Sequence, residues 1–310
     1  MTPYPLLSNQ RLTELLALPT GPADIVMDTD TFNEIDDQFA VTYALLSPNL
    51  NVKALYAAPF FNENSTSPAD GMERSYQEIL RLLDRLGQRA EGKVFRGSTG
   101  YLPAKNTPVL SDAAQDLVAK AMAQQGKPLY VLAIGCITNV ASAILLEPRI
   151  ADKIVLVWLG GHPTYWEDTR EFNLMQDVPA AQVVLDSGVP LVQIPCMNVA
   201  EHLRTTLPEI ERYVKGRGAI GDYLYETYRQ CSPDHFAYSR VIWDISTVAF
   251  MNNPAWVPTR LEPAPVLRDD ITWGPTDPTR HVMRMAWHTN RDAIFGDLFR
   301  KLERNASCAR

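Results

Sequence analysis

The chain has 310 residues, of which 46% are hydrophobic and 21% are charged, and its formal net charge is −7. The apolar share is large enough for a buried core and argues against general disorder. The negative charge argues against nucleic acid as a habitual partner, because proteins that bind it usually present a basic face. The length alone leaves one or two domains open.

The cysteines and the amino terminus predict a reduced, cytoplasmic protein. The four cysteines are far apart in the chain and none has CxxC spacing, which indicates neither a zinc knuckle nor a disulfide framework. Residues 1–22 lack the basic segment and apolar core of an export signal. No apolar run approaches the roughly 18 residues of a membrane span, so we expect no membrane association.

Apolar periodicity predicts helices and strands in alternation along the chain. The segment 9–18 predicts a short helix, and the prolines of 19–22 separate this N-terminal extension, 1–22, from a single domain over 23–310. Strands are predicted at 25–27, 52–58, 129–134, 154–159, 191–194 and 281–287. Helices are predicted at 38–46, 72–86, 113–124, 140–146, 180–185, 210–229, 245–251 and 291–302.

This alternation predicts the fold class. Strand followed by helix implies right-handed crossovers, and therefore an α/β fold with a single doubly wound, mainly parallel sheet and helices on both faces. Ligands of such sheets bind outside the carboxyl ends of the strands. The segments that follow predicted strands in this way are 28–37, 59–64, 134–139 and 160–173.

The first of these segments is unusually acidic. Residues 28–37 read Asp-Thr-Asp-Thr-Phe-Asn-Glu-Ile-Asp-Asp, with five acidic side chains in ten positions. Carboxylates at such close range raise one another's pKa values unless a cation lies among them. Oxygen ligands on an irregular loop favour Ca²⁺ over the strictly octahedral Mg²⁺. The alternative is that Asp36 or Asp37 only caps the helix that follows.

The cluster resembles the signature of the inosine-uridine nucleoside hydrolases, in which a strand ends in Asp-x-Asp and a later Asp-Asp opens a helix. That family usually has three residues between its second and third Asp, whereas this chain has five, 31–35. Four further segments resemble the family in the same order. They are Ala-Pro-Phe-Phe-Asn at 58–62, Ala-Ile-Gly-Cys-Ile-Thr-Asn at 133–139, Gly-Gly at 160–161 with Glu-Phe-Asn at 171–173, and Trp-Asp at 243–244.

The resemblance implies a function for the domain 23–310. It implies Ca²⁺-dependent hydrolysis of the N-glycosidic bond of ribonucleosides, giving ribose and free base, by a homodimer or homotetramer. The implied calcium ligands are Asp30, Asp37, Asp244 and the carbonyl of Ile134, and Asp30 also acts as the general base. Asp36, Asn62, Glu171 and Asn173 are expected to bind the sugar, with Asp28 supporting the cluster from behind.

The segment 243–244 departs from many family members, which have His immediately before the last Asp as the acid for the departing base. Trp243 stands there instead and cannot act as an acid, but its indole resembles that of purine-preferring members, which stack the base on it. We therefore expect Trp243 to bind the base and purine nucleosides to be favoured. The remaining acid–base candidates are His162, His235 and Tyr238, of which His235 is preferred.

Two other functions stay open at the level of the sequence. A haloacid-dehalogenase-like phosphatase also begins with an apolar strand and Asp-x-Asp and uses Mg²⁺, but its motif wants Thr or Val where Phe32 stands, and it leaves Asp36 and Asp37 unexplained. A ribose- or metal-binding protein that has lost its chemistry would account for the missing His, although Asp30, the predicted base, is present.

Overall fold

The computed structural model of the protein describes residues 7–308, which contain ten β-strands and eleven α-helices. The strands are β1 (Ala23–Thr29), β2 (Leu50–Ala57), β3 (Val94–Arg96), β4 (Leu129–Ala133), β5 (Ile154–Leu159), β6 (Leu191–Ile194), β7 (Arg204–Thr205), β8 (Arg240–Val241), β9 (Thr259–Pro263) and β10 (Val282–Ala286). The helices are α1 (Asn9–Leu15), α2 (Asp36–Leu45), α3 (Pro68–Arg85), α4 (Asp112–Ala123), α5 (Thr138–Leu146), α6 (Phe172–Met175), α7 (Val178–Asp186), α8 (Leu207–Tyr213), α9 (Gly218–Gln230), α10 (Ile245–Asn252) and α11 (Arg291–Cys308).

Eight strands form one sheet in the order β3-β2-β1-β4-β5-β6-β10-β9. All neighbouring pairs are parallel except β10 and β9, which are antiparallel. A two-stranded antiparallel ribbon, β7 with β8, lies apart from this sheet. The predicted doubly wound, mainly parallel sheet is therefore confirmed.

The strand order reverses at β1. The chain winds outward from β1 through β2 to β3, and then returns to the opposite side of β1 to form β4, β5 and β6. Two neighbouring strands whose connections leave in opposite directions open a crevice at their carboxyl ends, and ligands of doubly wound sheets bind there. The topology thus places the candidate site beyond the ends of β1 and β4.

Both faces of the sheet are buried, which explains why its central strands are continuous apolar runs. In β1, Ile25 and Met27 belong to one hydrophobic core and Val26 to the other, because successive side chains of a strand point to opposite faces. Helices α2, α3, α9, α10 and α11 supply the first core. Helices α4, α5 and α7 supply the second.

The N-terminal helix α1 packs against the body of the protein. Leu12, Leu15 and Leu16 are buried, and Nε of Arg11 donates a 2.6 Å hydrogen bond to Oδ1 of Asp152. The division into an extension and a single domain stays a prediction, and its residues 1–6 and 309–310 lie outside the described part of the chain. Across residues 7–308, none of the helices has both the length and the apolar character required to cross a membrane.

The predicted helix over 210–229 is wrong. The structure has two helices there, α8 and α9, separated at Val214–Arg217. Gly216 and Gly218 have φ angles of +75° and +78°, which break the right-handed helical path and are accessible mainly to glycine. The sequence prediction also missed β3 and β9, which are short edge strands with half-exposed residues and therefore a weak apolar pattern.

Candidate functional site

The acidic segment lies where the topology predicts a site. Strand β1 ends at Thr29, Asp30 follows directly, and α2 begins with Asp36 and Asp37 in its first turn. All these aspartates are buried, as is Asp28. The first turn of a helix favours negative charge, because its free N–H groups carry partial positive charge. Two of the carboxylates are therefore placed by α2 itself.

Asp28 faces away from the crevice into a buried polar network. Its Oδ1 accepts a 2.8 Å hydrogen bond from Nδ2 of Asn139, at the start of α5. Oδ1 of Asn139 in turn accepts hydrogen bonds from the backbone N–H and the hydroxyl of Ser98. Burial raises the pKa of Asp28 to about 7, and the hydrogen bond from Asn139 opposes that rise. Asp28 was predicted to support the cluster from behind; the structure places it in this network, and its role stays a prediction.

A distant aspartate completes a tight carboxylate group. Asp244 directly precedes α10, which packs against α2. One carboxylate oxygen from each of Asp36, Asp37 and Asp244 lies within 4.8 Å of the others. Burial, and then the charges of Asp36 and Asp37, raise the pKa of Asp244 well above its ordinary value. The group does not include Asp30, and it contains Asp36, for which the sequence predicts a role in sugar binding.

Asp30 lies beside this group with neither carboxylate oxygen hydrogen bonded, although both atoms are buried. Burial raises the pKa of Asp30 well above its ordinary value, and the charges of Asp37 and Asp36 raise it further. Gly135 lies in contact with Asp30, and a Cβ at that position would lie 2.9 Å from Cγ of Asp30. The close approach of this turn therefore requires glycine.

These residues fit a hard divalent cation. Buried polar atoms of proteins nearly always have a hydrogen-bond partner, so two free oxygens on Asp30 indicate a missing positive group. The donors available are carboxylate oxygens and the carbonyl of Ile134, which suit Ca²⁺ or Mg²⁺ rather than a softer metal. A cation among them would also remove the repulsion that raises the pKa values of these aspartates.

The carboxylates line a cavity of about 270 Å³. Eight of the eleven predicted site residues line it, namely Asp30, Asp36, Asp37, Ile134, Glu171, Asn173, Trp243 and Asp244. The backbone N–H of Trp243 donates a 3.2 Å hydrogen bond to Oδ2 of Asp36, which holds the main chain of Trp243 next to the acidic group. The wall of the cavity thus combines acidic, amide and aromatic side chains.

Glu171 and Asn173 are held by the start of α6. The Glu171 carboxylate accepts hydrogen bonds from three backbone N–H groups, those of Gly161, Asn173 and Leu174. Nδ2 of Asn173 donates to the carbonyls of Ile134, at 3.3 Å, and Leu159, at 3.1 Å. Side chains fixed in this way are suited to orienting a hydroxylated ligand, because little freedom remains to be lost on binding.

The structure does not bring Asn62 or His235 to the cavity wall. Asn62 lines a neighbouring groove, and its Nδ2 donates a 2.6 Å hydrogen bond to Oδ1 of Asn33, which does line the cavity. The His235 ring packs on Tyr228, with centroids 5.8 Å apart, and its Nε2 lies 3.0 Å from the carbonyl oxygen of Arg229. Any contact of Asn62 with a ligand is therefore through Asn33 in this conformation.

Several lining residues were not predicted. They are Asn33, Glu34, Leu159, Arg170, Phe172, Cys196 and Met197. Cys196 and Met197 follow β6, so the rule of strand ends could have found them, whereas Asn33 and Glu34 belong to the lengthened loop 31–35. His162, which the sequence analysis considered as an acid–base candidate beside the preferred His235, also lines the cavity.

Known proteins resemble the chain over most of its length. The family model of the inosine-uridine preferring nucleoside hydrolases matches residues 25–296. The pyrimidine-specific ribonucleoside hydrolase RihA of Salmonella paratyphi A is 29% identical over 221 residues, which is 64% of this chain. The matched part spans 66% of that relative, slightly under two thirds of its length.

Two solved structures share the fold. A plant nucleoside hydrolase, PpNRh1, superposes with a TM-score of 0.74 and 21% identity over 91% of this chain and 99% of its own. A purine-preferring ribonucleoside hydrolase from Gardnerella vaginalis superposes with a TM-score of 0.70 and 21% identity over 92% and 99%. The predicted resemblance is confirmed by the family match, and the chain belongs to the inosine-uridine preferring nucleoside hydrolase family.

Proposed function

We propose that this protein hydrolyses the N-glycosidic bond of ribonucleosides and releases ribose and the free base. The observation that carries the proposal is that a cluster of buried carboxylates, in which Asp30 has no hydrogen-bond partner, shares one cavity with side chains suited to binding hydroxyls. The bond joins an anomeric carbon to a base nitrogen, and its cleavage passes through a state resembling an oxocarbenium ion. A negatively charged cavity stabilises such a cationic state.

We propose Ca²⁺ as the cation, held by Asp30, Asp37, Asp244 and the carbonyl of Ile134. When bound, it attracts sugar hydroxyls and makes a water molecule more acidic. Asp30 is assigned as the base that takes a proton from a water molecule in the cavity, which suits a carboxylate with neither oxygen hydrogen bonded within the protein. Asp36 belongs to the same carboxylate group as Asp37 and Asp244, and its position is compatible with contacts to both cation and sugar.

The sugar is oriented by the remaining side chains of the cavity. Asn173 and Glu171, fixed at the start of α6, bind its hydroxyls, and Asn62 supports Asn33 from the neighbouring groove. Asp28 and Asn139 hold the end of β1, and with it Asp30, in place. Correct placement supplies much of the rate, since it replaces a bimolecular encounter by a nearly unimolecular step.

We propose that purine nucleosides are preferred. Trp243 lies in the cavity wall beside Asp244, and a purine ring offers it more area for stacking than a pyrimidine ring. One relative bears a pyrimidine-specific name and one structural neighbour a purine-preferring name, so their names favour neither base. A higher kcat/KM for uridine than for inosine would overturn the preference without affecting the hydrolytic function.

The decisive experiment is a screen of inosine, guanosine, adenosine, uridine and cytidine for release of reducing sugar, with and without a chelator. We expect turnover that is lost with the chelator and restored by Ca²⁺. Asp30→Ala should abolish it, and undiminished turnover by this variant would remove Asp30 as the base. Restoration by Mg²⁺ but not by Ca²⁺ would contradict the choice of cation.

A catalytically inactive ribose-binding protein is the second candidate, motivated by Trp243 in place of the family's histidine. Such a protein would bind ribose or inosine in calorimetry but release no sugar in the screen. Membership of the nucleoside hydrolase family argues against the phosphatase considered from the sequence. Activity of the intact protein on 4-nitrophenyl phosphate with Mg²⁺ would restore that possibility.

We further propose a cytoplasmic protein that forms a homodimer or homotetramer. Among the described residues, Cys136, Cys196 and Cys231 are free thiols, which agrees with a reducing compartment. The oligomeric state is to be measured by light scattering on the purified full chain. A monomer at micromolar concentration would contradict it.

A further inference from the structure

Cleavage of a nucleoside requires a group that stabilises the departing base. The electron pair of the broken bond moves to a base nitrogen, and without a proton the base is a poor leaving group. The family's usual histidine is replaced by Trp243, whose indole N–H is not an acid. His235, the preferred substitute from the sequence, is not among the residues that line the cavity.

His162 does line the cavity. Its side chain is buried, with 7% of the residue exposed, and its Nδ1 is a buried atom without a hydrogen-bond partner. A histidine buried for structural reasons normally has its ring nitrogens paired, because an unpaired buried polar atom costs about 1–3 kcal/mol. The Nδ1 of His235 is also buried without a partner, but of these two histidines only His162 combines such a ring nitrogen with a place in the cavity wall.

The backbone before His162 makes a sharp turn that brings this residue to the cavity wall. Gly161 has a φ of +73°, and a Cβ there would lie 2.8 Å from Oγ1 of Thr169. A Cβ on Gly160 would lie 2.4 Å from the ring of Trp158. Both glycines are thus required by a sharp turn at the end of β5, which delivers the next residue to the site.

Hydrogen bonds hold both backbone polar groups of His162, and a ring contact holds its side chain. Its N–H donates a 2.9 Å hydrogen bond to Oγ1 of Thr169, and its carbonyl accepts a 3.1 Å hydrogen bond from Nε1 of Trp273. Its ring meets the Trp166 ring in an edge-on contact, with centroids 6.2 Å apart. A backbone anchored at both polar groups and a ring packed against an indole give the imidazole a defined position.

We propose that His162 is the catalytic residue that donates a proton to the departing base, an inference that rests on the proposed nucleoside hydrolysis. As the bond from C1′ to the base nitrogen breaks, its electron pair goes to the base, which takes a proton from the His162 ring. Water supplies hydroxide to C1′ and its proton to Asp30. Proton exchange with solvent then restores both residues, so the net reaction is nucleoside and water to ribose and base.

The other lining residues are poor candidates for this step. An arginine guanidinium is not a practical proton donor in catalysis, and that of Arg170 already donates a 2.8 Å hydrogen bond to the carbonyl of Asp270. Burial raises the pKa of Cys196 well above its ordinary value, so its thiol is a weak acid. Asp36, Asp37 and Asp244 form the acidic group, Asp30 is assigned as the base, Glu34 accepts a hydrogen bond from Arg240, and Glu171 accepts backbone hydrogen bonds. Among these residues, His162 is the one whose protonated side chain is an acid of moderate strength and whose ring has an unpartnered nitrogen.

Burial and the neighbouring charges act in opposite directions on the pKa of the His162 ring. Burial lowers the pKa of its ring, which makes the protonated imidazole a stronger acid, while Asp168 and Glu201 favour the protonated form. Glu171 lines the same cavity as His162, and its carboxylate accepts hydrogen bonds from backbone N–H groups. Burial has the larger effect, so the pKa of the ring is lowered; the protonated imidazole therefore gives up its proton readily and takes another from solvent.

The test compares two substrates: a nucleoside, whose base needs a proton to depart, and a riboside whose leaving group departs without one. The wild type and His162→Gln are compared on the nucleoside that the wild type cleaves fastest and on 4-nitrophenyl β-D-ribofuranoside, whose nitrophenolate departs as a stable anion. We expect kcat on the nucleoside to fall by about 10²–10⁴-fold in the variant. The kcat on the nitrophenyl riboside should stay within about threefold, which also shows that the variant is folded and binds ribose.

The same substitution at two other histidines provides the comparison. His288→Gln, an exposed position, should leave both substrates unaffected, and His235→Gln tests the rival acid. Equal losses on both substrates, no loss on the nucleoside, or a selective loss in His235→Gln instead would overturn the role of His162. A wild type that cleaves neither substrate would refute the proposed hydrolytic function. A wild type that cleaves only the nitrophenyl riboside would refute both the hydrolysis of nucleosides and the role of His162 in it.

Discussion

Nδ2 of Asn139 donates a 2.8 Å hydrogen bond to Oδ1 of Asp28, joining the start of α5 to the carboxyl end of β1. The bond is buried, and Asn139 also satisfies the backbone N–H of Ser98. The two neighbouring strand ends that form the crevice, those of β1 and β4, are therefore connected by one side chain on the helix that follows β4.

Asn139→Ala should destabilise the protein by about 2–4 kcal/mol, because it leaves the Asp28 carboxylate and the Ser98 N–H buried without a partner. Urea unfolding measures this change. Asn51→Ala is the matched control, since Nδ2 of Asn51 also donates a 2.8 Å hydrogen bond to an aspartate, Asp24, but on the surface. The control should change stability by less than about 0.5 kcal/mol. Similar losses in the two variants would contradict the buried network.

Asp244→Asn should stabilise the metal-free protein while removing its response to calcium. Burial and the charges of Asp36 and Asp37 raise the pKa of Asp244, so loss of its carboxylate relieves repulsion worth on the order of 1 kcal/mol. Thermal unfolding is measured with chelator and with excess Ca²⁺. The wild type should gain about 3 kcal/mol at a hundredfold excess over Kd and the variant much less.

The control for this prediction is Glu91→Gln, an exposed loop position. It should follow the wild type under both conditions. If Asp244→Asn retained the full stabilisation by Ca²⁺, the acidic group at α2 and α10 would not be the cation site.

Gly135→Ala should lower kcat by on the order of 10²-fold with little effect on folding. The new Cβ would approach Cγ of Asp30 to 2.9 Å and displace the predicted base, and small displacements of a reacting group have effects of this size. Gly100→Ala is the control, because a Cβ there meets no atom within 4 Å. Sugar release from inosine is the assay, and wild-type turnover by Gly135→Ala would show that the contact is easily relieved.

His281 should make the protein less stable in mild acid. Burial, and then the charge of Arg280, lower its pKa from 6.5 to about 4, with Asp186 opposing the shift. Between these two pH values the unfolded chain binds a proton that the folded protein does not. The contribution of His281 to stability is therefore complete above about pH 6.5 and is lost as the pH falls towards about 4.

His281→Gln removes this titration. From about pH 7 to about pH 4.5, its unfolding free energy should fall by on the order of 2–3 kcal/mol less than that of the wild type. His288→Gln, at an exposed position, should follow the wild-type curve. Parallel curves for His281→Gln and the wild type would show that the folded protein accommodates the charged ring.

Much of the fold could be predicted because its strands and helices follow from the local pattern of apolar residues. The central strands are apolar runs since both of their faces are buried, and the helices carry apolar stripes that cover them. The single predicted helix over 210–229 failed because its apolar pattern continues through Gly216 and Gly218, whose positive φ angles end the helical path. Strand β3 was missed because three half-exposed edge residues carry almost no pattern.

For the site, the sequence by itself determined which side chains stand at strand ends, and so placed Asp30, Asp36 and Asp37 beside one another, since they share a single short loop and the first turn of a helix. Only the tertiary structure decided which distant groups join them. It placed Asp244, which the family resemblance had implied, beside them through the packing of α10 on α2, kept His235 against Tyr228, and brought His162 to the cavity wall. The physical reason is range: periodicity and turn chemistry act between neighbours in the chain, whereas the meeting of side chains some two hundred positions apart depends on how whole helices and strands pack.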